Sequence, residues 1–173
     1  MKIALRLGAA IALVGLVCGC GANYCWRPAV PAAMRTVAVP TFRNDSELQE
    51  AGAVAARQVL REFQREGTFK IRPTGEAALE IQGTVLSAGG DSVAYDRRSG
   101  LRISSYELVG EFAVSVIDKR LGKVLVDNRR YTARASFAVG QDLTTAQRDA
   151  AGRMSEDLAR QVVDDVLNLK WEN

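Results

Sequence analysis

Three cysteines fall between Leu16 and Trp26, directly after an apolar run, and the 173-residue chain has no others. Thiols at such spacing can form a disulfide, bind a metal or accept a covalent lipid. The chain contains no histidine, which excludes a histidine-dependent catalytic triad and a histidine-containing zinc site. Asp118 and the pair Asp164–Asp165 lack metal-ligand spacing and are predicted to be solvated turn and helix residues. We expect no metal and no cofactor.

The N-terminal segment favours covalent lipid attachment. Two basic residues precede an apolar run that ends at Val17, a pattern typical of a secretory signal and shorter than a membrane-spanning helix. The letters VCGC at residues 17–20 match the lipobox of bacterial lipoproteins, in which a branched apolar residue and two small residues precede the acceptor cysteine. We therefore predict that residues 1–19 form a signal peptide, and that Cys20 carries a diacylglycerol and an acylated amine, for example palmitate.

The other two thiols have different expected fates. Cys18 leaves with the signal, whereas Cys25 stays in the tether, either without a role or available to crosslink a partner in an oxidising periplasm. Gly21 predicts the outer membrane, because an aspartate there would favour retention in the inner membrane. Several acyl chains exceed the single-chain threshold for stable attachment. An ordinary cleaved signal with incidental cysteines is the alternative.

The composition is that of a globular chain with little net charge. Hydrophobic residues make up 47% and charged residues 25%, as in folded domains. Lys plus Arg number 23 against 20 for Asp plus Glu, too small an excess to predict nucleic-acid binding. Residues 20–34, which include Pro28 and Pro31, predict a lipidated extended tether. Residues 35–173 predict a single domain.

The first half of this domain predicts a strand followed by a helix. Val37 begins a short alternation of apolar side chains, which is typical of a strand. Ser46 and Gln49 have the spacing of a helix capping box, and Gly67 is placed to end the helix. The letters FKIRP then predict only a short extended piece.

The second half predicts three strands and a final helix. Alternating residues indicate the three strands. A long turn over residues 89–100 separates the first two, and a tight turn at Gly122 separates the last two. Thr144 and Gln147 form a second capping box, before a helix predicted over residues 145–169.

These elements predict a two-layer α/β sandwich, with one four-stranded mixed sheet and two helices packed on one face, in the order β-α-β-β-β-α. The helix-containing first crossover permits parallel neighbours, and the remaining strands form an antiparallel meander. The other sheet face is predicted to be polar and open to water or to a partner. Its residues are Glu80, Gln82, Thr84, Glu107, Glu111, Arg130 and Arg134.

Five segments carry a resemblance to a known family. They are GCGANY (19–24), MRTVAVPTFRNDS (34–46), VLREFQREGTFKI (59–71), LEIQGTVLSAGGDSVAYD (79–96) and VSVIDKRLGKVLVDN (114–128). In this order and spacing they resemble the LPS-assembly lipoprotein family, the LptE-like lipoproteins. None of the five is a catalytic motif.

The resemblance implies an outer-membrane lipoprotein that forms a plug inside a β-barrel. This barrel translocates lipopolysaccharide (LPS). Such a protein stabilises this barrel during assembly and helps to insert LPS at the cell surface. Its implied partners are the barrel and LPS, and it catalyses no reaction. The absence of a nucleophile elbow, phosphate loop or metal cluster agrees with a non-enzymatic role. The letters VAVPTFRNDS also resemble lipoproteins of the curli-secretion and penicillin-binding-protein-activator types, which assemble or regulate other envelope machines.

Four arginines are candidate LPS-binding residues. Arg130 and Arg134 share the predicted open face, so that their guanidinium groups can converge on one phosphate. Arg97 and Arg98 lie on the long turn, from which they can reach the same ligand or the barrel wall. The alternative is a solvated surface on which neighbouring glutamates neutralise the arginines.

Overall fold

A mixed β-sheet covered on one face by two helices makes up the described residues of the computed structural model, 30–96, 102–138 and 142–171. The strands are β1 (Thr36–Ala38), β2 (Arg43–Asn44), β3 (Lys70–Ile71), β4 (Leu79–Asp96), β5 (Arg102–Asp118) and β6 (Lys123–Ala138). The helices are α1 (Ala51–Glu66) and α2 (Leu143–Leu167), and a 3₁₀ turn at Ala32–Met34 precedes β1. The predicted α/β class is confirmed.

The sheet has six strands, so the prediction of four is wrong. Their order is β3-β1-β4-β5-β6, and β2 also pairs with β4. β1 runs parallel to β3 and β4, whereas β4, β5 and β6 form an antiparallel meander. The parallel crossover and the meander agree with the sequence prediction. β2 is absent from the prediction because two residues are too few for an alternating pattern to be recognised. β3 lies in the segment FKIRP, which is predicted to be extended but is not counted as a strand of the sheet.

The long turn predicted over residues 89–100 is also wrong for its first part. β4 continues to Asp96, and Gly90 pairs with Leu108 of β5. The Gly-Gly-Asp-Ser letters favour a turn locally, but the neighbouring strand offers a continuous pairing partner that overrides this preference. The pairing register shifts after Val85 and after Ser92.

Neither predicted capping box begins a helix. Ser46 donates its backbone N–H and its hydroxyl to Asn44 Oδ1 at 3.2 and 2.7 Å, which is a local turn. α1 begins five residues later, after Glu50, whose φ is 62°. The predicted end is confirmed, because Gly67 has φ 82° and closes the helix.

The cap of α2 is Asp142, which lies two residues before the predicted Thr144. Its carboxylate accepts the backbone N–H groups of Thr144 and Thr145. The hydrogen bond from the Thr145 hydroxyl, followed by those from the two backbone N–H groups, lowers the pKa of the exposed Asp142 carboxyl. The helix runs to Leu167 rather than to residue 169.

The core fills the space between the helix layer and the sheet. Its largest fully buried side chains are Phe63, Phe112, Leu79, Ile81, Leu108, Met154, Leu158, Val37, Val59, Val85, Val114 and Val162. Phe42 lies so close to Gly52 of α1 and Gly83 of β4 that a Cβ at either glycine would overlap it. None of the helices in the described ranges has the length and apolar character that crossing a membrane requires.

Candidate functional surface

The sheet face away from the helices is polar along β5 and β6. From Tyr131 to Ala138, buried and exposed residues of β6 alternate strictly. On β5, Leu108 and Phe112 are fully buried under the helices, whereas Glu111 is exposed on the other side. The predicted phase is therefore confirmed for β6 from Tyr131 onward and for β5 at Leu108, Glu111 and Phe112.

Arg130 and Arg134 both lie exposed on this open face. Arg130 is opposite Ala113 and Arg134 opposite Val109 in the β5–β6 register. At about 3.4 Å per residue, their Cα atoms are roughly 14 Å apart. The arginines therefore share one face without being adjacent.

Arg134 has a carboxylate partner. Its Nη1 lies 3.4 Å from Glu107 Oε2, and Glu107 is opposite Ser136. Ser136 is further along β6 from Arg130, so Arg134 leans away from Arg130 rather than toward it. No ion pair to Arg130 is formed within the described ranges. The predicted convergence on one anion would require Arg134 to exchange Glu107 for the ligand.

Glu80 does not belong to the open polar surface, contrary to prediction. It is only 4% exposed, and its Oε1 accepts a hydrogen bond from Gln82 at 2.5 Å. Lys119 Nζ lies 3.4 Å from its other carboxylate oxygen. Burial and these partners hold Glu80 within the sheet, and it does not neutralise the arginines of β6.

The acidic part of the open face lies on the β4 side. A groove of about 440 Å³ runs between β4, β5 and the segment after β2, and Asp45, Glu47 and Glu111 line it. Asp45 is paired with Arg43 at 2.8 Å. An anionic ligand is therefore favoured on the β6 side, where the two arginines lie, over this groove.

Two acidic residues that the sequence predicted to be solvated have structural partners. Asp165 accepts the Tyr131 hydroxyl at 2.8 Å and lies 3.2 Å from Arg129 Nη2, which ties α2 to β6. Asp118 is fully buried and accepts the Arg120 backbone N–H at 2.9 Å. The one-dimensional pattern could not reveal these contacts, since the partners of Asp165 come from another element.

The end of the sheet near the β5–β6 turn has a second feature that sequence inspection missed. We call this feature the hairpin end. It comprises Met34, residues 118–125 and residues 169–171. These residues line a pocket of about 360 Å³ or form the turn beside it. The letters KRLGK predict a tight turn, and they also place three cations around one leucine. Gly122 has φ 63°, as that turn requires.

Several predicted residues lie outside the described ranges. Arg97 and Arg98 follow the last residue of β4, and Cys20 and Cys25 precede residue 30. Their predicted roles stay predictions. Within the described ranges no three potential metal-ligating side chains are grouped.

Most of the described residues lie in a region that matches the profile of a known protein family. The profile of the LptE family, whose description is lipopolysaccharide-assembly, matches residues 34–166. This span begins in the 3₁₀ turn before β1 and ends one residue before the end of α2. The chain belongs to the LptE lipopolysaccharide-assembly family.

Solved structures share the fold of this LptE family member at low sequence identity. A proposed lipoprotein from Caulobacter crescentus CB15 has a TM-score of 0.50 and 14% identity, covering 73% of this chain and 88% of its own. The hypothetical protein CT253 from Chlamydia trachomatis has a TM-score of 0.51 and 13% identity, and the match covers 78% of this chain and 96% of that protein. Protein XCC0632 from Xanthomonas campestris has a TM-score of 0.51 and 15% identity, and the match covers 79% of this chain and 88% of that protein. No curated protein matches the chain.

Proposed function

We propose that this LptE family member is an outer-membrane lipoprotein that serves as plug and assembly partner of the LPS-translocating β-barrel and aids LPS insertion at the cell surface. The observation that carries the proposal is the family match over residues 34–166, which spans nearly all the described elements. The lipobox at residues 17–20 adds the anchor that such a role requires.

The open face supports this placement physically. Large outer-membrane barrels have a polar lumen, and a plug must therefore present polar rather than apolar surface to the barrel wall. The open face does so with the exposed residues Gln82, Glu111, Arg130 and Arg134. The apolar phase of the same strands is buried under the helices, so the domain keeps its own core within a wet lumen.

Arg130 and Arg134 are proposed to bind phosphate groups of LPS, together with Arg97 and Arg98. Guanidinium groups bind phosphate in bidentate geometry. Arg130 is exposed, and among the described residues Arg134 forms one ion pair, with Glu107. Exposed ion pairs contribute little stability, so a multivalent phosphate ligand can displace Glu107.

Acylated Cys20 is proposed to hold the domain at the periplasmic face of the outer membrane. The protein acts there by shape and contact, without catalysing a reaction. Mass spectrometry of the processed protein tests the anchor directly: we expect a chain that starts at residue 20 and carries three acyl chains as in bacterial lipoproteins. An unmodified Cys20 thiol would exclude this anchor.

Affinity purification from solubilised outer membranes tests the partnership. A C-terminally tagged protein is expected to retain a β-barrel protein in equimolar amount. The matched control is Cys20→Ser, which alters one atom but removes the acyl acceptor and is expected to recover much less barrel. An untagged strain gives the background.

Two results would contradict the proposed partnership. Recovery of a cell-wall synthase would favour the activator type of lipoprotein. Recovery of a ring made only of this chain would favour the curli-secretion type. In either case the barrel would be absent from the eluate.

A further inference from the structure

The hairpin end exposes apolar side chains beside its pocket. Leu121 is 73% exposed and Val124 is 49% exposed. Leu125, Leu169 and Trp171 line the adjoining pocket of about 360 Å³. Single exposed apolar residues are common on protein surfaces, but here two of them continue into an apolar pocket at one end of the molecule.

Basic side chains surround this apolar area. They are Lys119, Arg120, Lys123 and Lys170. Two of these cations have buried carboxylate partners: Glu80 lies 3.4 Å from the Lys119 ammonium and Asp118 lies 3.5 Å from the Arg120 guanidinium. The Lys119 and Arg120 side chains are each 43% exposed, so these cationic groups lie outside their carboxylates. Apolar residues ringed by Lys and Arg are typical of surfaces that lie in a lipid headgroup layer.

The chain enters the domain at this same end. Thr36, the first residue of β1, accepts the Ala78 N–H on its hydroxyl at 2.8 Å. The Ala78 carbonyl accepts the Lys119 N–H at 2.8 Å. Met34, just before β1, lines the pocket. The N-terminus of β1 and the β5–β6 turn are therefore neighbours.

Chain length limits how far this end can lie from an anchor at Cys20. Residues 20–30 span at most roughly 35 Å when fully extended. β5 has 17 residues and is roughly 55 Å long at 3.3 Å per residue. The hairpin end is therefore the end that an acylated Cys20 holds near a bilayer, and the opposite end, with Leu143, lies further away.

We propose that the hairpin end docks on an anionic phospholipid surface. Leu121 and Val124 enter the headgroup region, and the surrounding basic side chains face the lipid phosphates. This inference rests on the anchor of the proposed function for its orientation. It goes beyond that function by assigning a second lipid contact, made by the folded domain itself.

Quenching of a fluorescent label by lipids tests the contact. The full mature lipoprotein, with Cys25→Ser, carries a bimane label at Leu121→Cys and is reconstituted into phosphatidylethanolamine and phosphatidylglycerol vesicles that contain spin-labelled lipid. The matched control is Leu143→Cys, at a leucine that is 48% exposed at the opposite end. We expect quenching about threefold stronger at position 121 than at 143, and weaker at 121 when phosphatidylcholine replaces the anionic lipid.

Mass spectrometry of the same sample shows whether Cys20 is acylated, so that failure of the docking proposal can be distinguished from failure of the anchor. Equal quenching at the two positions in acylated protein overturns the docking proposal while the anchor stands. If Cys20 proves unmodified, the comparison is repeated with Cys20→Ser: stronger quenching at 121 then supports docking without the anchor, and no quenching overturns both. Protection of position 121 only after a barrel protein is added identifies a protein contact and overturns lipid docking.

Discussion

Tyr131 is the residue that joins the outermost long strand to the second helix. Its ring is buried, its hydroxyl donates to Asp165, and the Arg129 guanidinium lies 5.8 Å from the centre of its ring. Burial, reinforced by the hydrogen bond to Asp165, raises the pKa of Tyr131 above its ordinary value of 10.0, and Arg129 opposes this in part. The neutral phenol is therefore the form that the fold stabilises.

Tyr131→Phe is expected to lower the free energy of unfolding by about 1–2 kcal/mol at neutral pH, because Asp165 loses a hydrogen-bond donor. Urea denaturation measures the change. Tyr106→Phe is the control: Tyr106 stacks on Phe137 at 5.6 Å, and no hydrogen bond of its hydroxyl is present within the described ranges. An equal loss in both variants would contradict this role of the hydroxyl.

The raised pKa of Tyr131 also predicts a pH dependence. Its folded-state pKa exceeds the unfolded value of 10.0, so the stabilisation is complete below pH 10 and is lost as the pH rises through the folded pKa. Denaturation midpoints measured upward from pH 9 are expected to fall less steeply in Tyr131→Phe than in the unaltered chain. Parallel curves would contradict the assignment.

The proposed LPS site is tested with a pair of arginine substitutions. Arg130→Gln with Arg134→Gln is expected to weaken LPS binding about tenfold, because two phosphate contacts are lost. Arg57→Gln with Arg61→Gln is the matched control, since these two exposed arginines are also four residues apart but lie on α1. Binding measured on immobilised LPS that falls equally for both pairs would indicate nonspecific attraction.

At the scale of elements, close backbone contacts fix how the helices lie on the sheet. α1 approaches the Phe42 backbone carbonyl through Gly52, and β4 approaches the Phe42 ring through Gly83. α2 covers the outer edge of β6, where Arg153 and Gln161 donate to the Ser136 and Thr132 carbonyls. Covered edges resist pairing with another chain, which disfavours edge-to-edge association of two copies through β6.

Two glycine substitutions are predicted to have opposite effects. Gly52→Ala is expected to cost about 1–3 kcal/mol, because its Cβ would overlap the Phe42 carbonyl and the helix must shift. Gly152→Ala, in α2, meets no atom within 4 Å and is expected to gain about 0.5–1 kcal/mol from helix propensity. Urea denaturation of both variants measures the pair. A neutral or favourable Gly52→Ala would show that α1 does not pack tightly on Phe42.

The sequence predicted the long elements well, because β5, β6 and α2 repeat their apolar pattern many times. It failed where the deciding partner is distant in the chain. β4 continues past Gly89 and Gly90 because β5 pairs with it, and Glu80 is buried among Gln82 and Lys119.

The predicted helix caps are misplaced because the Asn44 and Asp142 side chains accept the local backbone N–H groups instead. Of the candidate site, the shared face of Arg130 and Arg134 followed from alternation, but the Glu107 pair depends on cross-strand register.

At the scale of the whole molecule, the hairpin end and the open face have different chemistry. The hairpin end is apolar and basic and lies where the chain enters. The open face is polar, with carboxylates toward β4 and arginines on β6. In the proposed function, the hairpin end lies beside the lipid anchor, and the open face contacts the barrel lumen and the LPS phosphates.

Surface LPS measured after depletion of this protein tests the central claim most directly. The amount of LPS accessible to a surface-labelling antibody is expected to fall as the protein is depleted, and expression of the unaltered chain is expected to restore it. Undiminished surface LPS in depleted cells that still assemble a full complement of the barrel would contradict the role in LPS insertion.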